Sequence, residues 1–214
     1  MSESKHLGVI VWPTHIEYEG VNAVLDRLTE AGVTAVATAA QVVEPSEDSS
    51  MGRREPPDNG GKGLVREVDR PIWGKKSLLL RASPSYDFNP ELYKGLKYRP
   101  READDLTQKY GHLIAQFLEE AGKRGLKRYL QVQVCHLPDT HHEHSNIPKA
   151  TEDLPRLPNG ELPGNRMTHF AAIASDDVRA YFGATLRDLA SVYEGIDGFI
   201  LDRAEQSFYT LDEA

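Results

Sequence analysis

Two acidic side chains near the carboxyl end of the chain, Asp202 and Glu205, could do acid–base chemistry together. Asp202 closes the short apolar segment 196–202, which predicts a buried strand. In a parallel α/β architecture, ligands bind and catalytic carboxylates lie at the carboxyl ends of the strands. The sequence therefore predicts that Asp202 and Glu205 are catalytic and that Arg203, between them, contacts substrate. The structural alternatives are an ion pair with an arginine, or a helix cap made by Asp202.

Histidines and acidic residues also cluster in the segment 136–144, which follows another predicted strand. Imidazole and carboxylate groups together suit zinc, nickel or manganese. However, the proline-rich context does not hold these residues at helical spacing, so a solvated loop is the favoured interpretation and neither a metal nor a cofactor is predicted. His136 alone, at the end of its strand, is predicted to contact substrate, where an imidazole could donate a hydrogen bond or exchange a proton near neutral pH.

Hydrophobic periodicity predicts the elements that would position these groups. Helices are expected over 18–31, 104–123 and 175–192, and strands over 7–12, 33–43, 77–83, 128–136 and 196–202. This order predicts one α/β domain over residues 1–214, built on a parallel sheet with right-handed crossovers. Two polar segments rich in proline and glycine, at about 44–76 and 137–166, are expected to be long loops. Such a sheet can be open or part of a barrel.

Composition excludes several classes of partner. The formal net charge is −8 over 214 residues, and no basic face is evident, so neither nucleic acid nor an anionic membrane is an expected partner. The chain has one cysteine, Cys135, which cannot form an internal disulfide and fits a reducing compartment. The apolar run at 7–12 is too short for a signal peptide or a membrane helix. A soluble, cytoplasmic protein is expected.

The last third of the chain resembles a known family. The segments Asp177-Val-Arg-Ala-Tyr, Leu186-Arg-Asp-Leu and Tyr193-Glu-Gly-Ile-Asp-Gly-Phe-Ile-Leu-Asp202 resemble the fourth βα unit of glycoside-hydrolase-like (β/α)8 barrels. The resemblance covers residues 174–209 and, more weakly, the order of the elements before them. It implies a fold of the parallel (β/α) TIM-barrel type, a carbohydrate ligand, and a hydrolase in which Asp202 is the acid of the substrate cleft and Glu205 lies in the following loop.

With a sugar as the ligand, four more residues are candidates to bind it. Trp12 and His15 follow the first strand, where a barrel would place rings that stack on sugars and groups that hydrogen-bond to hydroxyls. Arg81 and Tyr86 lie beside an aromatic-rich turn. The alternatives are that Trp12 belongs to the core and that the rings of the turn pin a long loop in place. Two other functions stay open: a metal-dependent sugar isomerase or lyase using residues 136–144 with Glu44 or Asp202, and a non-catalytic carbohydrate-binding or assembly subunit.

The chain departs from the family in its strand count. A complete barrel has eight strands, whereas the pattern gives four, or five with 77–83, which corresponds to the amino-terminal half of a barrel. Half a barrel exposes two parallel strand edges and an apolar face. Three alternatives follow: the sequence is an amino-terminal fragment of a barrel, it pairs with another copy or with a second chain that completes the barrel, or it forms an open α/β sheet that shares only the motif. An isolated half-barrel is expected to self-associate, and a well-folded monomer would count against the half-barrel.

Overall fold

The computed structural model describes residues 6–45, 53–55, 78–133, 151–161 and 171–202. Seven strands and five α-helices lie in these ranges. The strands are β1 (Gly8–Ile10), β2 (Ala35–Ala39), β3 (Gln41–Pro45), β4 (Arg53–Glu55), β5 (Leu78–Pro84), β6 (Lys127–Gln133) and β7 (Gly198–Asp202). The helices are α1 (Pro13–Glu19), α2 (Val21–Glu30), α3 (Asp105–Tyr110), α4 (His112–Lys123) and α5 (Asp176–Val192), with short 3-10 turns at Pro90–Tyr93 and Thr151–Asp153.

A four-stranded parallel sheet in the order β1-β2-β6-β7 forms the centre of the fold. Spatial order follows chain order without a reversal, unlike doubly wound sheets, which reverse at a switch point. The predicted parallel α/β architecture is thus confirmed as a parallel sheet of four strands. The structure does not show closure into a barrel.

The helices bury one face of this sheet. Val36, Leu130 and Val132 of the sheet share one apolar core with residues of α2, α4 and α5, such as Leu25 and Phe117. Right-handed crossovers between successive parallel strands put their helices on the same side, which accounts for this single shared core. Alternate residues point to the other side, called here the second face. It carries Gly8, Ile10, Ala35, Ala37, Ala39, Lys127, Tyr129, Gln131, Gln133, Gly198, Ile200 and Asp202, as the register of the strands places them.

Two strand predictions are wrong in part. The apolar run 33–43 was expected to be one strand, but the chain leaves the parallel sheet at Ala40 and continues as β3. Strand β5, expected to be a possible fifth barrel strand, instead pairs antiparallel with β3 and β4 in a separate sheet of order β3-β5-β4. Apolar composition favours a strand but does not fix which strand it pairs with, or in which direction.

The two expected loops also contain regular structure. Strand β3 extends to Pro45 and β4 spans Arg53–Glu55, both inside the predicted loop 44–76. The described part of 137–166 includes the turn Thr151–Asp153, where Asp153 accepts hydrogen bonds from Lys97 and Tyr98. Among the described residues, no helix has both the length and the apolar character needed to cross a membrane.

A buried hydroxyl in β2 gives a first prediction. Thr38 is fully buried, and its Oγ1 has no hydrogen-bond partner in the described structure. Burying such a hydroxyl unpaired costs about 1–3 kcal/mol. We expect Thr38→Val, which keeps the shape, to raise the free energy of unfolding by about 1 kcal/mol, measured by urea denaturation.

Thr185 supplies the matched control, because it is also buried but its Oγ1 donates to the Tyr181 carbonyl at 3.0 Å. Thr185→Val should lower the free energy of unfolding by up to about 1 kcal/mol. Equal effects of the two substitutions would contradict the assignment of Thr38 as an unsatisfied group.

Candidate functional site

Asp202 ends the last strand of the parallel sheet. It lies on the second face, and its Oδ2 accepts a hydrogen bond of 2.9 Å from Nε2 of Gln131 on the neighbouring β6. The side chain is half-buried, so the carboxylate is oriented by the amide yet still reaches solvent. A carboxylate held in this way at the carboxyl end of a parallel sheet can accept a proton, attack an electrophilic carbon or stabilise a developing positive charge.

Trp12 and His15 lie at the carboxyl end of the opposite edge strand. Trp12 links β1 to α1 and is 44% exposed, so it is not a core residue. His15 is half-buried on α1. Strands β1 and β7 are separated by two other strands, which corresponds to about 14 Å between their axes. The structure therefore places Trp12 and His15 at the same end of the sheet as Asp202 but does not bring them beside it.

Glu17, also on α1, is a carboxyl group with a perturbed environment. Its Oε1 accepts a 3.0 Å hydrogen bond from the Val43 N–H of β3, while its Oε2 is buried with no hydrogen-bond partner in the described structure. Burial raises the pKa of Glu17 to about 7, the Val43 N–H opposes that rise, and the charge of Glu44 adds to it. This carboxyl group is therefore largely protonated below neutral pH, and its position directly after β1 was the only sequence signal that could have drawn attention to it.

Arg81 braces the antiparallel sheet against α3. Its guanidinium donates to the carboxylates of Asp104 (3.0 Å) and Asp105 (3.1 Å from Nη1) and lies 3.5 Å from Glu44. Burial alone would raise the pKa of Asp104, but hydrogen bonds from Ser83 and Arg81 lower it to about 2. The two terminal nitrogens of Arg81 are thus directed at protein carboxylates, and its buried Nε has no hydrogen-bond partner in the described structure, so the structure gives Arg81 a bracing role and not the predicted contact with substrate.

Tyr86 is packed against the carboxyl end of α5. Its ring meets that of Tyr193 edge-on with centroids 6.1 Å apart, and Tyr193 Oη lies 2.6 Å from Ser85 Oγ. Further along the same segment, Phe88, Tyr93 and Tyr98 form edge-on or tilted contacts with one another or with Tyr181 of α5. This is the packing role left open by the sequence: the rings pin the segment after β5 onto α5.

A buried carboxylate that the sequence did not single out anchors this segment. Asp188 of α5 is fully buried and accepts hydrogen bonds from the Asn89 N–H (3.2 Å) and the Tyr93 hydroxyl (3.0 Å). Burial raises the pKa of Asp188, while the Tyr93 and Asn89 bonds lower it. In sequence Asp188 is one acid within an amphipathic helix, and no local pattern shows that it faces inward.

Three predicted site residues, Glu205, Arg203 and His136, lie outside the described residues, as do the histidines of 141–144. Among the residues that the structure does describe, no group of three histidine, cysteine or acidic side chains is arranged to hold a metal ion. The arrangement seen is a single oriented carboxylate, Asp202 with Gln131, at one end of the sheet.

Fold and site together define an α/β protein with a four-stranded parallel sheet in sequential order and an oriented carboxylate at the carboxyl end of its last strand. No protein-family model and no curated protein matches the chain. Solved structures similar to it include the following two. One is a cycloalternan-degrading enzyme from Trueperella pyogenes in complex with a covalent intermediate, with a TM-score of 0.40 and 13% identity over 92% of this chain and 24% of that chain.

The other is a Kfla1895 mutant in complex with cyclobis-(1→6)-α-nigerosyl, with a TM-score of 0.43 and 17% identity over 92% of this chain and 24% of that chain. The chain therefore spans about a quarter of the length of either protein. At TM-scores below 0.5, these similarities carry no argument about activity.

Proposed function

We propose that this protein is a carbohydrate-active hydrolase that cleaves glycosidic bonds, with Asp202 as the principal carboxylate of the cleft. The observation that carries the proposal is the placement of Asp202 at the carboxyl end of the last parallel strand, half-buried and held by the Gln131 amide. A glycosidase needs such an oriented carboxylate to act as nucleophile or base at the anomeric carbon, where positive charge develops.

A second carboxyl group must protonate the leaving oxygen, and we assign this role to Glu205. The bond between the anomeric carbon and the glycosidic oxygen breaks, the leaving oxygen takes the acid's proton, and water supplies the hydroxyl of the product. Gln131 fixes the rotamer of Asp202, and Arg203 and His136 are assigned to position the acids or the sugar. Trp12 offers an exposed ring, and His15 a polar group, to a sugar at the same end of the sheet.

Hydrolysis of a panel of glycans and aryl glycosides by wild type and by Asp202→Asn tests the proposal. Asparagine keeps the size of the side chain and can still bond to Gln131, but it cannot be a nucleophile or a base. We expect the substitution to lower kcat/KM by at least about 100-fold, equivalent to about 2.7 kcal/mol of transition-state stabilisation.

Asp197→Asn is the matched control. Asp197 precedes the same strand, at the opposite end of the sheet, and pairs with Lys127 at 2.6 Å. This control should keep full activity. No hydrolysis by a well-folded wild type that nevertheless binds the glycans would reject the hydrolase and favour a carbohydrate-binding subunit, and equal losses in both variants would show that the effect of Asp202 is structural.

A further inference from the structure

Two glutamines of strand β6 lie on the second face of the sheet beside Asp202. Strand residues two apart point the same way, so Gln131 and Gln133 follow each other along this face, with about 6.6 Å between their Cα atoms. In the register of β6 against β7, Gln133 is the direct partner of Asp202, and Gln131 lies one pair back, opposite Ile200. The carboxylate of Asp202 therefore has an amide side chain on each of two neighbouring positions.

The two amides differ in their hydrogen bonds. Gln131 donates from Nε2 to Oδ2 of Asp202 at 2.9 Å, so its donor is used inside the protein. In the part of the chain that the structure describes, no hydrogen bond uses the side-chain amide of Gln133, which is half-buried and still reaches solvent. The amide of Gln133 is therefore available to a ligand that binds at Asp202.

The end of β6 also extends beyond its pairing with β2. The last pair between these strands is Ala39 with Gln131, after which the chain leaves the parallel sheet for β3. Gln133 thus has a sheet neighbour on β7 but no described strand on its other side. This leaves its side chain directed past the carboxyl end of the sheet, where ligands of parallel α/β proteins bind.

The chemistry of this corner suits a hydroxyl-bearing ligand. The residues that β1 and β2 contribute to the second face are all glycine, alanine or isoleucine: Gly8, Ile10, Ala35, Ala37 and Ala39. A few polar groups placed beside an apolar surface fix the orientation of a bound small molecule. A glutamine amide offers both a donor and an acceptor, and a sugar hydroxyl is itself both, so one such group can satisfy the other.

We propose that Gln133 binds the sugar hydroxyl on carbon 2, the carbon next to the anomeric carbon. This assignment rests on the hydrolase proposed above, in which Asp202 acts at the anomeric carbon. Of the hydroxyls of the sugar, that on carbon 2 is nearest to the anomeric carbon, and Gln133 is the direct sheet partner of Asp202. Hydrogen bonds to this hydroxyl strengthen in the transition state of glycoside hydrolysis. Gln133 therefore selects glycosides whose hydroxyl on carbon 2 is present and unsubstituted.

Gln133→Met tests this assignment, because methionine has a similar length and lacks the amide. Wild type and variant are assayed with the aryl hexoside that wild type hydrolyses fastest and with its 2-deoxy counterpart. We expect the variant to lower kcat/KM for the hexoside about 10-fold, the worth of one hydrogen bond, and to leave that for the 2-deoxy compound within about twofold. Equal losses on the two substrates would overturn the assignment, because they would show a structural effect.

Two further glutamines supply the controls. Gln131 acts through Asp202 rather than on the sugar, so Gln131→Met should lower kcat/KM for both substrates by the same factor. Gln108 is exposed on α3, and Gln108→Met should leave both values unchanged. If circular dichroism shows that Gln133→Met does not fold, Gln133→Leu takes its place with the same expected outcome.

Calorimetry separates a failure of this assignment from a failure of the hydrolase. If wild type hydrolyses none of the aryl hexosides, their binding and that of their 2-deoxy counterparts is measured on wild type and Gln133→Met. Binding that weakens in the variant for the hexosides alone would reject the hydrolase and support Gln133 as a sugar-binding residue. Binding that the substitution leaves unchanged, or no binding of any hexoside, would overturn the assignment of Gln133.

Discussion

Gly111→Ala is expected to destabilise the protein by about 2–3 kcal/mol, although alanine normally favours a helix over glycine by about 0.5–1 kcal/mol. Gly111 joins α3 to α4 with ordinary helical backbone angles, so its conformation does not require glycine. A Cβ there would lie 2.6 Å from the carbonyl oxygens of Ser85 and Thr107. Backbone atoms cannot move aside cheaply, so the junction must open.

Gly183 in α5 provides a control of opposite sign. A Cβ at Gly183 would meet only Nη1 of Arg187, at an ordinary 3.6 Å. Gly183→Ala should therefore raise the free energy of unfolding by about 0.5–1 kcal/mol. Urea denaturation gives both values, and the Gly111 variant should melt about 5–10 °C below wild type. A neutral or stabilising effect of Gly111→Ala would show that α3 does not pack this closely on the segment after β5.

The sequence was sufficient to find helix α5 and the strands β1, β6 and β7 of the parallel sheet because each has a local cause. Helix α5 begins at Ser175, whose Oγ accepts a hydrogen bond from the Val178 N–H, and its apolar residues follow a helical period. Strand β7 is a short apolar run that ends at Asp202, whereas in β6 the apolar Leu130 and Val132 alternate with Gln131 and Gln133 after the turn glycine Gly125. Each of these patterns lies within about 20 neighbouring residues, so hydrophobic periodicity is enough to find it.

The antiparallel sheet and the joint within 104–123 were not predictable in the same way. The run 33–43 is apolar on both sides of Ala40, so nothing local separates β2 from β3. The helical period continues through Gly111, and the reason that a side chain does not fit there is the carbonyl of Ser85, which is 26 positions away in the chain. The separation of β2 from β3 and the joint at Gly111 both depend on the segment of distant backbone that packs against them. Residue type alone does not determine which segment that is.

In the candidate site, too, some features have a local cause in the sequence and others depend on distant contacts. The placement of Asp202 follows from its position after an apolar strand, whereas the bond from Gln131 depends on the register of β6 against β7. The character of Glu17 depends on Val43, 26 residues away, and that of Asp188 on Asn89, 99 residues away. Charge state and burial are properties of the packed structure, so the sequence could name acids but not their protonation.

Glu17 is expected to make the protein less stable as the pH rises from about 4.5 to about 7. Its pKa is about 7 in the folded protein against 4.5 ordinarily, so folding favours its protonated form. The stability that it contributes is fully present below pH 4.5 and is lost as the pH rises through the folded pKa. The full shift corresponds to roughly 3 kcal/mol, and the partial exposure of Glu17 reduces this to about 2–3 kcal/mol.

Glu17→Gln isolates this effect, because glutamine keeps an oxygen for the Val43 N–H and cannot ionise. The free energy of unfolding of the variant should match wild type near pH 4.5 and exceed it by about 2 kcal/mol at pH 8, from urea titrations across that range. Asp104 provides a control, because its pKa is about 2 and its carboxylate is therefore ionised over the whole of this pH range. Asp104→Asn should therefore lower stability by the same amount at pH 5 and pH 8. A constant difference between Glu17→Gln and wild type over the whole range would mean that Glu17 is ionised in the folded protein and that the α1–β3 contact tolerates its charge.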